Sequence, residues 1–332
     1  MSVGTWPLLG ALAFWLGASL LVFALLAVFF VLYTLVVCIL FVPTMMRVFE
    51  ETPLFVPPDD QPVPGAEEVR FQASDGVWLR GCWLLTSAPS PRGTIVFCHE
   101  FLSNRWSCRP YCKTLLENGY DIFSFDFRNH GESESLPHYS PMFWASNFEL
   151  TDLQAALAQV REQKRDTNPW TGLLGVSRGG TAAILAAAVE KQVRAVVTDG
   201  AFPTRGTQLA YMLRWARIYI GDGLLYRLTP EWYYSLLCAI ARTLGARRHG
   251  CRFPKVSQAI RKLAPRPLLM IHGGSDNYIV PVVAEGLFRC AREPKEWWLV
   301  PQARHNGAIQ VAQEAYGRRI LEFFNAAHTV AT

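Results

Sequence analysis

The sequence predicts an α/β protein, a mostly parallel sheet covered by helices on both faces, preceded by an apolar amino-terminal segment. Three observations carry this expectation. Short apolar runs suited to doubly buried strands alternate with helical stretches from Thr94 to Phe324. One such run, Trp170 to Leu174, leads into Gly175-Val176-Ser177-Arg178-Gly179-Gly180, and an Ala- and Leu-rich stretch, Thr181 to Val189, follows it. Residues 1 to 46 contain no Asp, Glu, Lys, Arg or His.

From Leu8 to Val42 the chain is almost unbroken Leu, Val, Phe and Ala. As one helix this run is about 52 Å long, against a hydrocarbon core of about 30 Å. It is too long for one upright span and barely long enough for two. The choices are a tilted span with its Gly4 to Leu16 part at the interface, or a helical hairpin bent around Gly17-Ala18-Ser19 or a little later. A cleaved signal peptide fits poorly, because the basic leading region is missing and the run far exceeds the usual ~7–15 apolar residues. Residues 1–46 are therefore expected to be a membrane anchor of one or two transmembrane helices, with 8–42 in the bilayer. Pro53, Pro57, Pro58, Pro62, Pro64 and Gly65 mark residues 47–66 as a stiff linker.

The first charges after the run, Arg47, Glu50, Glu51, Asp59 and Asp60, give the positive-inside rule almost nothing to count. Of eight cysteines, Cys38 lies in the apolar run, and the seven others show no zinc or thioredoxin spacing. Cys108 and Cys112 are interrupted by Pro110, so small buried thiols are expected. The chain has no Asn-x-Ser/Thr acceptor, which points the catalytic domain toward a reducing, cytoplasmic side. Net charge is +5, with Arg242, Arg247, Arg248, His249, Arg252 and Lys255 crowded together and Arg261 and Lys262 after them. Such a cluster is a solvated face or an attraction for anionic headgroups. No nucleic-acid-binding fold or aromatic-interleaved basic motif accompanies it, which excludes nucleic acid as a partner.

After the linker, Val69 to Ala73 and Val77 to Leu85 read as a hairpin turning at Ser74-Asp75-Gly76. Strands follow at Thr94–Cys98 and Asp121–Phe125, with a helix near Tyr111–Glu117 between them. Asn147 to Lys164 is an amphipathic helix with Leu150, Leu153, Leu157 and Val160 on one face. A strand at Val193–Thr198 ends the first part of the core, residues 67–201. Residues 202–264 differ in texture: Tyr211, Trp215, Tyr219, Tyr226, Trp232, Tyr233 and Tyr234 predict a helical lid of several short helices lining an apolar substrate site. The second part of the core, 265–328, resumes with strands at Leu268–Ile271 and Glu296–Val300 and helices at Val282–Cys290 and Ala308–Phe324.

Gly175 and Gly179 flank Ser177 at the spacing of a nucleophile elbow, where missing Cβ atoms let strand and helix meet at a sharp angle. A neutral serine needs a base, and that base needs a third group to fix it. His305 and Asp276 each follow a predicted strand by a short loop, and the order Ser, Asp, His is that of an α/β-hydrolase. Taken singly, Asp276 equally caps the following turn and His305 is equally an exposed loop histidine. Two donors are needed for the oxyanion: the backbone N–H of Arg178 and, from the loop His99-Glu100-Phe101, that of Phe101, with Glu100 as the neighbouring alternative. His99 is expected to be structural. Gly273-Gly274 lacks the surroundings of a phosphate fingerprint, so neither metal nor dinucleotide cofactor is expected.

Residues 67 to 324 resemble an α/β-hydrolase of the serine-aminopeptidase or lysophospholipase-like branch. The resemblance rests on His99-Glu100-Phe101, on Asp126-Phe127-Arg128-Asn129-His130-Gly131-Glu132-Ser133, and on the elbow, Asp276 and His305. It implies an α/β-hydrolase fold and a structural role for the Asp-x-Arg-x-His-Gly-x-Ser stretch. Relatives usually carry glycine where this chain has Glu100, and some take the acid from the position of Asp199; Asp276 is favoured here. The function expected is that of a membrane-anchored serine esterase or related hydrolase acting on an ester, thioester or amide, with an acyl-lipid or small-molecule substrate. Its rivals are a serine aminopeptidase, with Glu100 or Glu231 receiving a free amine, and a non-catalytic membrane scaffold. Oligomeric state is not legible.

Overall fold

The structure is a computed structural model and describes residues 6–50, 61–163 and 170–331. Eight strands form one sheet: β1 Glu67–Gln72, β2 Trp78–Leu84, β3 Gly93–Cys98, β4 Tyr120–Phe125, β5 Thr171–Val176, β6 Val193–Asp199, β7 Leu268–Gly273 and β8 Lys295–Val300. Their order is β1-β2-β4-β3-β5-β6-β7-β8. β1 and β2 form the expected hairpin and β2 pairs antiparallel with β4; every other pairing is parallel.

The strand period of two divides the sheet between two cores. On one face Val96, Phe123, Leu173 and Met270 pack under α3 (Asn147–Glu162), α4 (Arg178–Ala187) and α9 (Pro281–Cys290). On the other, Ile95, Phe97, Leu174 and Ile271 meet α2 (Cys108–Glu117) and α10 (Ala308–Ala331). Ser146 and Glu149 form a capping box that starts α3. Helix α4 begins at Arg178, three residues before the expected Thr181. Glycines are poor helix formers, but here Gly179 and Gly180 occupy the first turn, where the strand leaves no room for side chains.

Between β6 and β7 lie α5 (Thr204–Ile220), α6 (Leu224–Leu228), α7 (Glu231–Arg248) and α8 (Val256–Ala259), so two helices of the lid are longer than expected. The amino-terminal segment is a single helix, α1, from Trp6 to Glu50, which corrects the hairpin alternative. Glycine in a helix costs only about 1 kcal/mol, too little for Gly17 to break so apolar a run. The first four residues of the expected linker, Arg47 to Glu50, are the last turn of α1; its prolines Pro53, Pro57 and Pro58 lie outside the described residues.

The length of the apolar run has a structural reason. The carboxyl-terminal part of α1, from Phe30 on, docks on the lid: Val42 and Phe49 are buried, and the Phe30 ring lies 5.9 Å from Trp232 and Tyr33 lies 6.2 Å from Tyr233. Trp144 Nε1 donates to the carbonyl of Phe49 at 2.9 Å, satisfying one of the carbonyls a helix end leaves open. Glu50 takes Arg248 at 3.1 Å and His249 at 3.0 Å. Part of the basic cluster is thus spent on holding α1 to α7.

The Asp-x-Arg-x-His-Gly-x-Ser stretch is a brace beyond β4. Asp126 accepts from the backbone N–H of Arg105 at 2.6 Å and of Glu132 at 2.9 Å, and from the Arg105 guanidinium. A Cβ at Gly131 would run into the Asp126 carboxylate. Arg128 is buried between Asp152, at 2.6 and 2.9 Å, and Asp75 at 2.7 Å. Replacing Arg128 by Leu strands the buried Asp152 carboxylate and should cost about 3–5 kcal/mol in denaturant unfolding, with Asp152→Asn in the same chain restoring part of the loss. Equal stability of Arg128→Leu and the parent chain would refute this account.

Candidate active site

Ser177 sits between β5 and α4 with φ 52° and ψ −116°, a conformation that side-chain-bearing residues rarely adopt. Close backbone approach holds it there. A Cβ on Gly179 would overlap the carbonyls of Cys98 and His99, and one on Gly175 would lie 2.5 Å from the Gly179 oxygen. The Ser177 N–H donates to the Asp199 carbonyl at 2.7 Å, tying the elbow to β6.

The structure brings Ser177, Asp276 and His305 together. Ser177 Oγ is 2.9 Å from His305 Nε2, and His305 Nδ1 is 2.6 Å from Asp276 Oδ2. Asp276 makes both contacts at once: its Oδ1 accepts the N–H groups of Tyr278 and Ile279 at 2.9 Å each while Oδ2 faces the imidazole. The turn cap thus fixes the carboxylate that orients the ring. With Nδ1 donating to Asp276, His305 Nε2 presents a lone pair to the serine hydroxyl. Asp199, the alternative acid, is engaged elsewhere: its Oδ2 accepts from Tyr316 at 3.1 Å.

The loop after β3 is organised by His99. Its Nε2 accepts the Phe127 N–H at 3.1 Å, so Nδ1 carries the proton given to the Glu100 carbonyl at 2.6 Å. Burial, aided by the Arg178 charge, holds this ring down at about 3, so it is a neutral structural histidine rather than a second base. Among the described residues no acceptor takes the backbone N–H of Phe101 or Arg178. The Glu100 side chain is buried, with Ser107 Oγ donating to it at 3.4 Å. Glu231, by contrast, is exposed on the first turn of α7.

The sequence reading enlisted only the backbone of Arg178 and missed its side chain. The guanidinium is wholly buried beneath the elbow. It donates to the Met142 carbonyl at 3.0 Å and to His130 Nε2 at 3.1 Å, and lies 3.5 Å from Glu149. It also stacks 5.1 Å from Phe101 and 5.6 Å from Phe127, so one side chain ties the elbow to both neighbouring loops. An arginine in the first turn of an Ala-rich helix was the available signal. Above the site, Tyr211 of the lid lies 6.1 Å from Phe143 and from Trp144, and Tyr278 lies 6.1 Å from His305. Phe101, Met142 and Phe202 join the same apolar cluster.

Two buried carboxyls flank the triad. Burial pushes Glu100 and Asp199 up to about 7, and in each case a neighbouring carboxylate adds to the effect. A carboxyl raised in the folded state keeps its proton where the unfolded chain has lost it, so stability present below about pH 4.3 falls as pH rises toward 7. Glu100→Gln should flatten that fall: its thermal midpoint, relative to the parent chain, should rise between pH 5 and pH 8. Parallel pH profiles of the two proteins would refute the assignment.

A family profile described as the alpha/beta hydrolase fold matches residues 93–237. The uncharacterized protein YfhR of Escherichia coli K12 is 28% identical over 312 residues, covering 90% of this chain and 94% of YfhR. The thiohydrolase aneE of Aspergillus aculeatus is 33% identical over 132 residues, 40% of each chain. Among solved structures, the Pyrococcus furiosus esterase Pf2001 aligns with a TM-score of 0.61 at 24% identity, over 83% of this chain and 99% of its own. Sheet order, elbow and profile lead to one conclusion: the chain has the α/β-hydrolase fold.

Proposed function

We propose that the protein is a membrane-anchored serine hydrolase that cleaves an ester, thioester or amide through an acyl-enzyme, with a preference for acyl or lipid-like esters. The observation that carries this reading is the continuous relay from Ser177 Oγ through His305 to Asp276, with contacts of 2.9 and 2.6 Å. In the first step His305 Nε2 takes the serine proton as Oγ attacks the substrate carbonyl. The imidazolium formed is stabilised by Asp276 and returns the proton to the departing group. Water then repeats the sequence on the acyl-enzyme and releases the acid. The Phe101 and Arg178 amides receive the oxyanion, and the amino end of α4 adds its favourable dipole.

The apolar cluster of Phe101, Phe143, Trp144, Phe202 and Tyr211 supports an acyl substrate. The thiohydrolase name of the Aspergillus relative accords with acyl transfer from sulfur or oxygen. Aminopeptidase action is disfavoured by the exposure of Glu231 and by the tendency of Glu100 to hold its proton, which weakens its attraction for an ammonium. Anchoring rests on α1, whose Ala11–Glu50 stretch is long and apolar enough to cross a membrane. All eight cysteines are free thiols, in keeping with a catalytic domain on the cytoplasmic side.

A fluorophosphonate probe should label the parent protein and leave Ser177→Ala unlabelled. Absence of labelling in the parent, or equal labelling of Ser177→Ala, would favour the scaffold reading. His305→Ala should lower hydrolysis of a p-nitrophenyl ester by at least about 1,000-fold. Across p-nitrophenyl esters of increasing chain length, kcat/KM should rise from acetate to a medium-chain acyl group and exceed that for aminoacyl anilides.

A further inference from the structure

A groove of about 510 Å³ runs between α1 and the lid helices α5 and α7. Its α1 wall, from Tyr33 to Phe49, is about 24 Å long at the rise of a helix. Val37 and Met45 come from α1, Met212 and Trp215 from α5, and Tyr234 and Leu237 from α7; none of the described lining residues is charged. Its size falls within the range of about 300–1,000 Å³ typical of ligand sites. A slot this long and apolar suits an extended hydrocarbon chain rather than a compact solute.

The surroundings identify where such a chain would come from. The lid edge beside the groove carries exposed Ile218, Leu224, Leu228 and Trp232, and Trp232 meets Phe30 of α1. Phe30 lies twelve residues before Val42, about 18 Å back along the helix and well inside the apolar run. The lid edge therefore sits at the same depth as apolar α1 side chains, and a bilayer that receives the one also bathes the other. At the opposite end, Arg47 is exposed next to the groove-lining Val48, at the level of the lipid headgroups. Apolar patches of this kind mark membrane or partner surfaces, and continuity with α1 selects the membrane.

We infer that the groove between α1 and the lid binds one acyl chain of a bilayer phospholipid. The inference rests on the anchoring of α1 but not on the chemistry of Ser177. To test it, full-length protein is reconstituted in vesicles of phosphatidylcholine and phosphatidylglycerol containing a phospholipid with a diazirine on one acyl chain, irradiated, and mapped by mass spectrometry. Adducts are expected on Met212, Tyr234 or Leu237, which are buried and out of reach of bulk lipid. Val37→Trp and Ala216→Trp, which fill the groove from opposite walls, should each lower those adducts about tenfold. Adducts on the exposed Leu224 and Leu228 should persist and report that each variant is folded against the bilayer. Adducts confined to the rim, or groove adducts unchanged by both substitutions, would overturn the inference. Alkaline carbonate extraction separates the two layers of the argument: release of the protein overturns anchoring and this inference together, whereas retention with rim-only adducts overturns the inference alone.

Discussion

The contact on which the rest of the site depends is that between the Gly179 backbone and the carbonyls of Cys98 and His99. It lets α4 start directly above the ends of β3 and β5, and it forces Ser177 into a backbone conformation that costs on the order of 1–3 kcal/mol by itself. Everything around the elbow resists relaxation of that strain. The Ser177 N–H is tied to β6, and the Arg178 guanidinium, buried just below, grips the loops that carry Phe101, His130 and Met142. The hydroxyl is thus aimed by backbone packing, and the loops facing it are positioned from underneath by one cation.

Hydrogen-bond partners separate the three histidines around the elbow into two kinds. His99 and His130 lie with one ring nitrogen donating to a backbone carbonyl and the other accepting, and low solvation and the nearby Arg178 keep both neutral. His305 instead has a carboxylate on one nitrogen and a hydroxyl on the other. His99 and His130, held on both ring nitrogens by the loops around the elbow, are fixed parts of the scaffold. Fixed neutral rings also spare the site any competing positive charge beyond that of Arg178.

The parts of this arrangement set by local chemistry were legible in the sequence: short apolar strand runs, the hairpin at Ser74-Asp75-Gly76, the elbow glycines, and Asp276 and His305 just past strand ends. What was not legible came from distant packing. Nothing near Tyr316 announces that its hydroxyl meets Asp199, 117 positions away in the chain. The buried guanidinium of Arg178 depends on Glu149 and Met142 arriving from other elements. The single-helix form of α1 was left open because length alone cannot tell a second span from a segment that docks on protein. The docked residues Phe30, Tyr33, Val42 and Phe49 recur at intervals of three, nine and seven, a spacing hidden in a stretch where most positions are apolar.

Docking of that kind sets a rotational phase. Each residue of a helix turns the next by about 100°, and α1 is clamped at both ends of its docked stretch, by aromatic rings at Phe30 and Tyr33 and by Trp144 at the Phe49 carbonyl. Adding or removing one residue between those clamps would swing one set of side chains a quarter-turn away from its partners. A change of the same length before Phe30 would leave the clamps in register. Drift in the length of this helix is accordingly free on the amino-terminal side of Phe30 and forbidden on the other.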